Sequence, residues 1–394
     1  MAASPTLPHW PRVRDTVGSG QGAGVSEDTA GQGGKDALGA LRQEIDALDR
    51  QIVRLLDERG RLVERVGADK AERGAVVFAP DREAAVLANV TGASQGPLTA
   101  SHLRAIYREI LSAMRSLERA ERIGYMGPAA TFTHQAALER FGAAAEYVAL
   151  PSIPDTFLET ARGGCDYGVV PVENSTEGPV HETLDAFVDS ELKVVSEIIL
   201  PIHHQLVARC APEAIRTVFT NPVALGQCRR WLSTNLPGRE IVQVVSTARA
   251  AAQAAETPAS AAISPRLAAE VYGLDVVAAD IEDFAQNYTR FYVLARELTS
   301  RPTGDDKTAL LFSIRDRVGA LRDVVALFAQ AGVNLSSIQS RPSRRRAWDY
   351  VFFVELQGHA ADPKLQAVLR AVEQHCAYLK VLGAWPRAEA AALA

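Results

Sequence analysis

The chain has 394 residues, of which 47% are hydrophobic and 23% charged. This composition is typical of a soluble globular protein, and the length predicts two to four domains. The formal net charge of −5 gives no bulk attraction to nucleic acid. No apolar run reaches the roughly 18 residues of a membrane span. Four scattered cysteines without a CxxC pair favour free thiols in a reducing cytoplasm over a disulfide framework or a metal cluster.

Residues 1–37 are rich in Gly, Ala, Ser and Pro and contain few apolar residues. This composition predicts a disordered leader. The first residues lack the apolar stretch of a secretory signal, so we expect a cytoplasmic protein.

Residues 38–121 show helical periodicity only, with a first helix predicted from Leu38 to Lys70. Such a helix is about 50 Å long, whereas a domain of this small size is only about 25–30 Å across. Its overhanging apolar seam therefore predicts a dimer. Two further helices are predicted, from Pro80 to Val90 and from Thr99 to Glu121. The seam residues are Leu41, Ile45, Leu48, Ile52, Leu55, Leu62 and Val66.

Arg59 occupies the seam position between Leu55 and Leu62. A buried arginine is costly unless it is paired. One interpretation is an ion pair between chains, and the other is contact with an anionic ligand inside the bundle. Further charged residues flank the same helices, and together they fit a small dicarboxylate better than a purely structural role. They are Arg42, Lys70, Arg82, Glu83 and Glu118.

Residues 122–300 alternate short apolar runs with helical patterns, which predicts βαβ units around a mainly parallel sheet. A second set of such units begins near Leu192, so we expect two lobes with a ligand-binding cleft between them. Three polar stretches lie next to predicted strands, at 169–178, 220–228 and 287–294. Their hydroxyl and amide groups suit a carboxylate ligand, although plain helix capping explains any single one equally well.

Residues 301–306 have the composition of a linker, and residues 307–386 follow the order β-α-β-β-α-β. That order within about 80 residues predicts a ferredoxin-like domain.

The helical region resembles the all-helical chorismate mutases in three stretches, 40–70, DREAAVL (81–87) and IYREILSAMRSLE (106–118). The resemblance implies a site shared across an intertwined dimer, with Arg42 supplied by the partner chain. It implies substrate contacts for Arg42, Arg59, Lys70, Arg82 and Glu83.

The mutase reaction is a pericyclic rearrangement of chorismate to prephenate, so the protein holds the reactive conformer and stabilises charge on the ether oxygen. Lys70 and Glu118 are the candidate donors to that oxygen. Because Glu118 can donate only as a neutral acid, we predict mutase activity that rises toward acidic pH. Ala79 and Met114 stand where many members carry Asp and Ser. These departures leave open a degenerate helical domain that only dimerises.

The middle region resembles prephenate dehydratase, through GYMGPAATFTHQAA (124–137), VENS (172–175) and TRF (289–291). The resemblance implies a two-lobed, periplasmic-binding-protein-like fold that converts prephenate to phenylpyruvate, CO2 and water. It implies that Thr289 is essential, which we interpret as hydrogen-bond donation to the leaving oxygen, with a proton relay from Glu173 as a further hypothesis. The implied substrate contacts are Asn174, Ser175, Thr176, Gln227, Thr289 and Arg290.

The last region resembles an ACT regulatory domain through GALR (319–322) and QSRP (339–342). The resemblance implies a phenylalanine site between two ACT domains, formed by Gly319, Ala320, Leu321, Gln339, Ser340, Arg341 and Pro342. Gln339 replaces the usual glutamate, which bears on the strength of inhibition.

The three resemblances follow the order of the bifunctional chorismate mutase–prephenate dehydratase family. Its members use chorismate and prephenate as substrates and phenylalanine as an inhibitor, and we expect a homodimer or a higher oligomer. A dehydratase with a merely dimerising helical domain and a non-enzymatic amino-acid sensor are the alternatives. We expect no cofactor, since GYMGPAAT is not GxGxxG. We also expect no metal, since His203 and His204 lack a third ligand at a suitable spacing.

Overall fold

The structure, a computed structural model, describes residues 30–72, 78–315, 317–342 and 350–388. The chain divides into two compact units, with the boundary between Arg59 and Gly60. Within the described ranges, none of the helices combines the length and the apolarity that a membrane span needs.

Three helices form the N-terminal region, α1 (Ala30–Glu72), α2 (Pro80–Ala93) and α3 (Ala100–Glu118). Helix α1 begins at Ala30 and not at Leu38, so the predicted leader overlaps it; residues 1–29 lie outside the described residues. The glycines in this first part of the helix disfavour helix formation, which is why the sequence predicted a later start. Helix α3 begins after Thr99, whose side chain accepts a hydrogen bond from the backbone N–H of His102.

The apolar seam of α1 is open to solvent in the single chain. Each of its seven residues is at least half exposed, with Leu55 the most exposed at 64%. Scattered exposed leucines are ordinary, but a continuous apolar stripe of this kind marks an interaction surface.

The first lobe has a mixed sheet. Strands β2, β1 and β3 are parallel, whereas β11 runs antiparallel to both β3 and β5. Its elements are β1 (Arg122–Met126), α4 (Phe132–Phe141), β2 (Glu146–Leu150), α5 (Ile153–Arg162), β3 (Tyr167–Asn174), β4 (Gly178–Pro179), α6 (His181–Asp189), β5 (Lys193–Pro201) and β11 (Tyr288–Ala295).

The second lobe has a five-stranded sheet of order β10-β6-β9-β7-β8, in which β7 is parallel to β8 and β9, and β6 is antiparallel to its neighbours. The predicted mainly parallel sheet is therefore mixed in both lobes, because the chain enters and leaves the second lobe through antiparallel strands. Its elements are β6 (Gln205–Ala208), a 3₁₀ turn (Pro212–Ala214), β7 (Thr217–Thr220), α7 (Pro222–Gln227), α8 (Arg229–Asn235), β8 (Glu240–Gln243), α9 (Thr247–Glu256), β9 (Ser260–Ser264), α10 (Arg266–Tyr272) and β10 (Asp275–Ala278).

The C-terminal region has the predicted β-α-β-β-α-β order, and its four strands lie in the order β13-β14-β12-β15. Strand β15 continues this sheet into the first lobe by pairing with β5 at Gly383 and Val194. A Cβ atom at residue 383 would lie 2.0 Å from the Val194 carbonyl oxygen, so only glycine allows this approach. The elements are β12 (Asp306–Ile314), α11 (Ala320–Gln330), β13 (Leu335–Pro342), β14 (Tyr350–Gln357), α12 (Pro363–His375) and β15 (Cys376–Pro386).

Candidate functional site

Thr289 begins strand β11 beside the end of strand β3, where the register pairs it with Asn174. The Asn174 side-chain amide Nδ2 donates to Thr289 Oγ1 over 2.8 Å and to Asn287 Oδ1 over 2.9 Å. Both Thr289 and Asn174 are half-buried. The hydroxyl oxygen of Thr289 therefore has a donor, and its own proton is available to another acceptor.

Four side chains form a closed ring of hydrogen bonds around this point, which we call the amide ring (Asn174, Asn287, Gln227 and Thr176). Asn287 Nδ2 donates to Gln227 Oε1 over 3.0 Å, and Gln227 Nε2 donates to Thr176 Oγ1 over 3.2 Å. Thr176 Oγ1 donates to Asn174 Oδ1 over 2.7 Å, which closes the ring. Gln227 lies on α7 of the second lobe, so the amide ring joins the two lobes.

Ser175 lies beside the amide ring and fixes the backbone there. Its hydroxyl accepts a hydrogen bond from the backbone N–H of Tyr288 and donates to the carbonyl of Gln286. The structure thus brings together Asn174, Ser175, Thr176, Gln227 and Thr289, five of the six side chains predicted for this site.

Arg290 lies on the other face of β11. Its guanidinium donates to both carboxylate oxygens of Glu355 on β14, over 2.9 and 2.6 Å, and lies 3.0 Å from Glu173. Successive side chains of a strand point to opposite faces, so the hypothesised relay through Glu173 does not reach Thr289. Burial lowers the pKa of Arg290, but its bonds to Glu355 outweigh that effect and raise it.

A small cavity of about 30 Å³ lies on this second face, between the first lobe and the C-terminal sheet. It is lined by Glu173, Arg290, Glu355, Ser337 and Gln339, among others.

The predicted regulatory residues lie at one end of the C-terminal sheet. Val351 of β14 pairs with Ser313 near the end of β12 on one side and with Arg341 near the end of β13 on the other. The ends of β12 and β13 therefore lie at the same edge of the sheet, and α11 begins there because it follows β12. Gly319 has φ 80°, in the left-handed region, and precedes α11. Arg341 is already engaged, since it donates to both carboxylate oxygens of Asp185 on α6 over 3.1 and 2.9 Å.

Lys70 and Glu118 are brought together in the helical region, where Lys70 Nζ donates to Glu118 Oε2 over 2.9 Å. Gly67 permits this contact, because a Cβ there would lie only 3.1 Å from Glu118 Cγ. Arg59 is half-buried, and its Nη1 is buried without a hydrogen-bond partner in the part of the chain that the structure describes. Arg42 is exposed.

Models of three families match the chain. The model of prephenate dehydratase matches residues 123–299, that of chorismate mutase type II matches 41–119, and that of the ACT domain matches 308–374. The bifunctional chorismate mutase/prephenate dehydratase of Aquifex aeolicus is 42% identical over 358 residues, which is 90% of this chain and 99% of the relative. The chain belongs to the bifunctional chorismate mutase/prephenate dehydratase family.

Two further comparisons agree with this membership. The bifunctional chorismate mutase/prephenate dehydratase of Pseudomonas aeruginosa is 38% identical over 361 residues, covering 90% of this chain and 99% of the relative. The solved prephenate dehydratase of Arthrobacter aurescens, in complex with L-Phe, is 34% identical with a TM-score of 0.63 and covers 68% of this chain and 90% of that one.

The chain is therefore an enzyme of phenylalanine biosynthesis with chorismate mutase and prephenate dehydratase domains and an ACT domain. The predicted fold is confirmed in its three parts, a helical mutase region, a two-lobed dehydratase region and a ferredoxin-like ACT domain. Family membership also favours a bifunctional enzyme over the two alternatives, a merely dimerising helical domain and a non-enzymatic sensor.

Two residues predicted for the mutase site have other surroundings in this member of the bifunctional family. Arg82 is exposed, whereas Glu83 is buried and paired with Arg115 and with Arg140, the latter over 2.7 Å. Arg140 lies on α4, so Glu83 fastens α2 to the first dehydratase lobe. A rotation of about 100° per residue separates neighbours on a helix, which explains why Arg82 and Glu83 do not face one pocket.

Two buried residues of the dehydratase region were missing from the predicted set of substrate contacts, Asn287 and His204. Each is 2% exposed, and each bonds to Gln227 Oε1. Asn287 could have been recognised from its place two residues before Thr289. His204 could not, because nothing in the sequence places it beside Gln227.

His203 lies beside two carboxylates that are distant in sequence, Asp280 and Glu282, with one potential ligand atom from each within 4.8 Å of the others. This corrects the expectation that no third ligand comes near. Both carboxylates already have protein donors, however, since Glu282 accepts from the His204 backbone and Asp280 from the Gln205 side chain. These contacts show that the three side chains connect residues 203–205 to residues 280–282.

Proposed function

We propose that Thr289 and the amide ring form the prephenate dehydratase site of this enzyme. In the reaction, the bond to the ring carboxylate breaks and releases CO2, and its electron pair moves into the ring. The bond to the ring hydroxyl then breaks, and the oxygen leaves as water after taking up one proton. Aromatisation drives the process, so the protein mainly aligns prephenate and assists the leaving oxygen.

The hydrogen bond from Asn174 Nδ2 to Thr289 Oγ1 carries this proposal. Because Asn174 can only donate through Nδ2, the Thr289 oxygen accepts there and its O–H is directed elsewhere. An O–H that is fixed in this way before substrate arrives is a preorganised donor to the negative charge that develops on the leaving oxygen.

The test is a Thr289→Val variant assayed with chorismate and with prephenate. We expect the dehydratase kcat to fall by about 10²–10³-fold, the usual effect of removing one such donor, while chorismate is still converted to prephenate. Thr299→Val is the matched control, since Thr299 Oγ1 is buried and has no hydrogen-bond partner among the described residues. A dehydratase that works equally well without the Thr289 hydroxyl contradicts the assignment.

For the mutase reaction we propose that Lys70 and Glu118 are the donors to the ether oxygen of chorismate. Arg59 and the partner subunit's Arg42 are the substrate contacts that the family resemblance implies. The Lys70–Glu118 contact supports this arrangement. Mutase activity should rise toward acidic pH, and Glu118→Gln should flatten that profile because an amide donates at every pH. An unchanged pH profile would refute the role of Glu118.

We also propose that the enzyme is a homodimer through the seam of α1. An Ile52→Glu variant should dissociate in sedimentation velocity and lose mutase activity, because a charge on a buried apolar seam is costly. Gln51→Glu adds the same charge one residue away from the seam and should leave the dimer intact. A dimer that survives Ile52→Glu unchanged contradicts the proposed interface.

Finally, we propose that phenylalanine inhibits the dehydratase by binding at the ACT domain, near the start of α11 and the end of β13. The L-Phe complex of the Arthrobacter aurescens relative supports this ligand. Gln339→Ala should raise the phenylalanine concentration needed for half inhibition. Ser336→Ala, at the β-bulge three residues earlier on the same strand, should not. Equal inhibition of all three proteins would place the ligand elsewhere.

A further inference from the structure

The chain crosses between the dehydratase lobes twice, through residues 202–204 and through residues 279–287. The two crossings are bonded to each other, since the Ile202 N–H donates to the Asn287 carbonyl and the Ile281 N–H donates to the His204 carbonyl, each over 2.8 Å. His204 therefore stands at the junction of both lobes, with its backbone fixed. Its side chain is 2% exposed.

The imidazole of His204 contacts one residue of each lobe. Nε2 lies 2.8 Å from Gln227 Oε1 of the second lobe, and the ring meets the Phe132 ring of the first lobe edge-on, with centroids 5.5 Å apart. Burial lowers the pKa of His204, which favours the neutral ring. The remaining nitrogen, Nδ1, is buried and has no hydrogen-bond partner among the residues described.

The hydrogen-bond pattern assigns both the His204 tautomer and the orientation of the Gln227 carboxamide. Asn287 Nδ2 can only donate, so the Gln227 side-chain atom that faces it must be the oxygen, Oε1. His204 Nε2 faces the same oxygen, so His204 must carry its proton on Nε2 in order to donate to it. With two donors on Oε1, the Gln227 amide nitrogen is fixed toward Thr176 and Glu177 at the cleft. Without His204, one of these two constraints is lost.

We propose that His204 is a positioning residue of the dehydratase reaction, which acts by holding the Gln227 carboxamide in the orientation that prephenate requires. The proposal rests on the proposed dehydratase site, in which Gln227 contacts the substrate. It gives His204 a role through the amide ring and not through direct contact with prephenate. A purely structural role would instead make His204 a packing residue of the crossing, independent of Gln227.

The first experiment compares His204→Phe with His204→Gln in the full-length enzyme. Phenylalanine keeps the ring that packs on Phe132 but removes the Nε2 donor, and we expect dehydratase kcat/KM to fall by about tenfold to a hundredfold from the misplaced group. Glutamine offers an amide donor at nearly the same reach and should recover most of that loss. His203→Phe is the control, since His203 is exposed and lies one residue away.

The second experiment is a double-mutant cycle with Gln227→Ala. If His204 acts through Gln227, the double variant should be within about twofold of Gln227→Ala alone, since residues of one network are not additive. Fully additive losses, or a His204→Phe enzyme as active as wild type, would overturn the proposal.

Near-UV circular dichroism and thermal melting of the same samples report whether each variant is folded. If His204→Phe is unfolded, the comparison of His204→Gln with wild type and with Gln227→Ala decides. If His204→Gln is as impaired as Gln227→Ala while mutase activity is intact, the donor role of His204 is wrong. A Thr289→Val enzyme with full dehydratase activity would refute the proposed site, whereas fully additive losses at His204 and Gln227 would refute this inference alone.

Discussion

Thr289 and Arg290 are neighbours on one strand and have opposite environments. Thr289 faces the cleft, where the amide ring around it consists of uncharged groups. Arg290 faces the ACT domain, where it meets the carboxylates of Glu173, Glu197 and Glu355. A single residue step thus separates a neutral polar surface from a buried ion cluster.

The difference indicates that the two faces of β11 have different roles. Neutral amides hold a hydroxyl in a fixed direction without the large desolvation cost that buried charges carry. The ion cluster instead ties the ACT domain to the dehydratase sheet, because Glu355 belongs to β14 and Lys307 to β12. We therefore expect the Thr289 face to control rate and the Arg290 face to control stability.

The largest effect on stability should come from Arg290→Met. Removing the guanidinium leaves Glu355 buried and largely uncompensated, so the free energy of unfolding should fall by about 3–5 kcal/mol. Thr289→Val, which loses one neutral hydrogen bond, should lower it by only about 1 kcal/mol. Urea denaturation measures the free energy of unfolding of both variants. Equal decreases in the two would contradict the assignment of stability to the Arg290 face of β11.

Replacing Glu355 together with Arg290 tests whether the unpaired charge is the cause of the lost stability. In Arg290→Met combined with Glu355→Leu, neither buried charge remains unpaired, and part of the lost stability should return. If the double variant is as unstable as the sum of the single ones, the ion pair is not the source of the effect.

Glu355→Gln should have an intermediate effect that depends on pH. Burial raises the pKa of Glu355, but the hydrogen bonds and charge of Arg290 outweigh it and lower the pKa overall. Stability from a carboxylate with a lowered pKa is fully present above the pKa of an unfolded glutamate, about 4.3, and is lost as pH falls through the folded value.

The free energy of unfolding of wild type should therefore exceed that of Glu355→Gln by about 1.5–3 kcal/mol at pH 7, the usual contribution of hydrogen bonds to a charged group. The difference should shrink steadily below about pH 4.3. Urea unfolding of both proteins over this range measures it, and a difference that is constant down to pH 3 would contradict the ion-pair explanation.

The smallest effect should come from Lys307→Met. Lys307 Nζ lies 2.8 Å from Glu197, but Glu197 also accepts bonds from Arg290 and from the Ala388 backbone N–H. Because these donors remain, we expect a loss of about 1 kcal/mol. A loss as large as that of Arg290→Met would show that Lys307, and not Arg290, neutralises the cluster.

The sequence predicted much of this fold and less of its site. The three regions and their element order follow from hydrophobic periodicity, which is a local property. Arg290 was grouped with Thr289 because the two are adjacent in TRF, although the alternation of side chains along a strand argues for opposite faces. Its true partner, Glu355, is 65 residues away in the chain, and no local pattern signals such a pairing.

The helical region shows the same limit. The sequence names Lys70 and Glu118 as candidate donors to one oxygen, and the structure brings their side chains into contact. Glu83 was assigned to a ligand, but the arginines that neutralise it belong to α3 and α4. A buried charge reveals that it needs a partner without revealing which partner the folded chain provides.

Gly383 decides how the ACT domain is joined to the dehydratase sheet. Because its backbone pairs with that of Val194, the ACT sheet and the dehydratase sheet are joined at this position into one continuous sheet. Strand β15 of the ACT domain therefore lies next to β5, whose other neighbour is β11, the strand that carries Thr289. The absence of a side chain at this one position is what lets the two sheets join edge to edge.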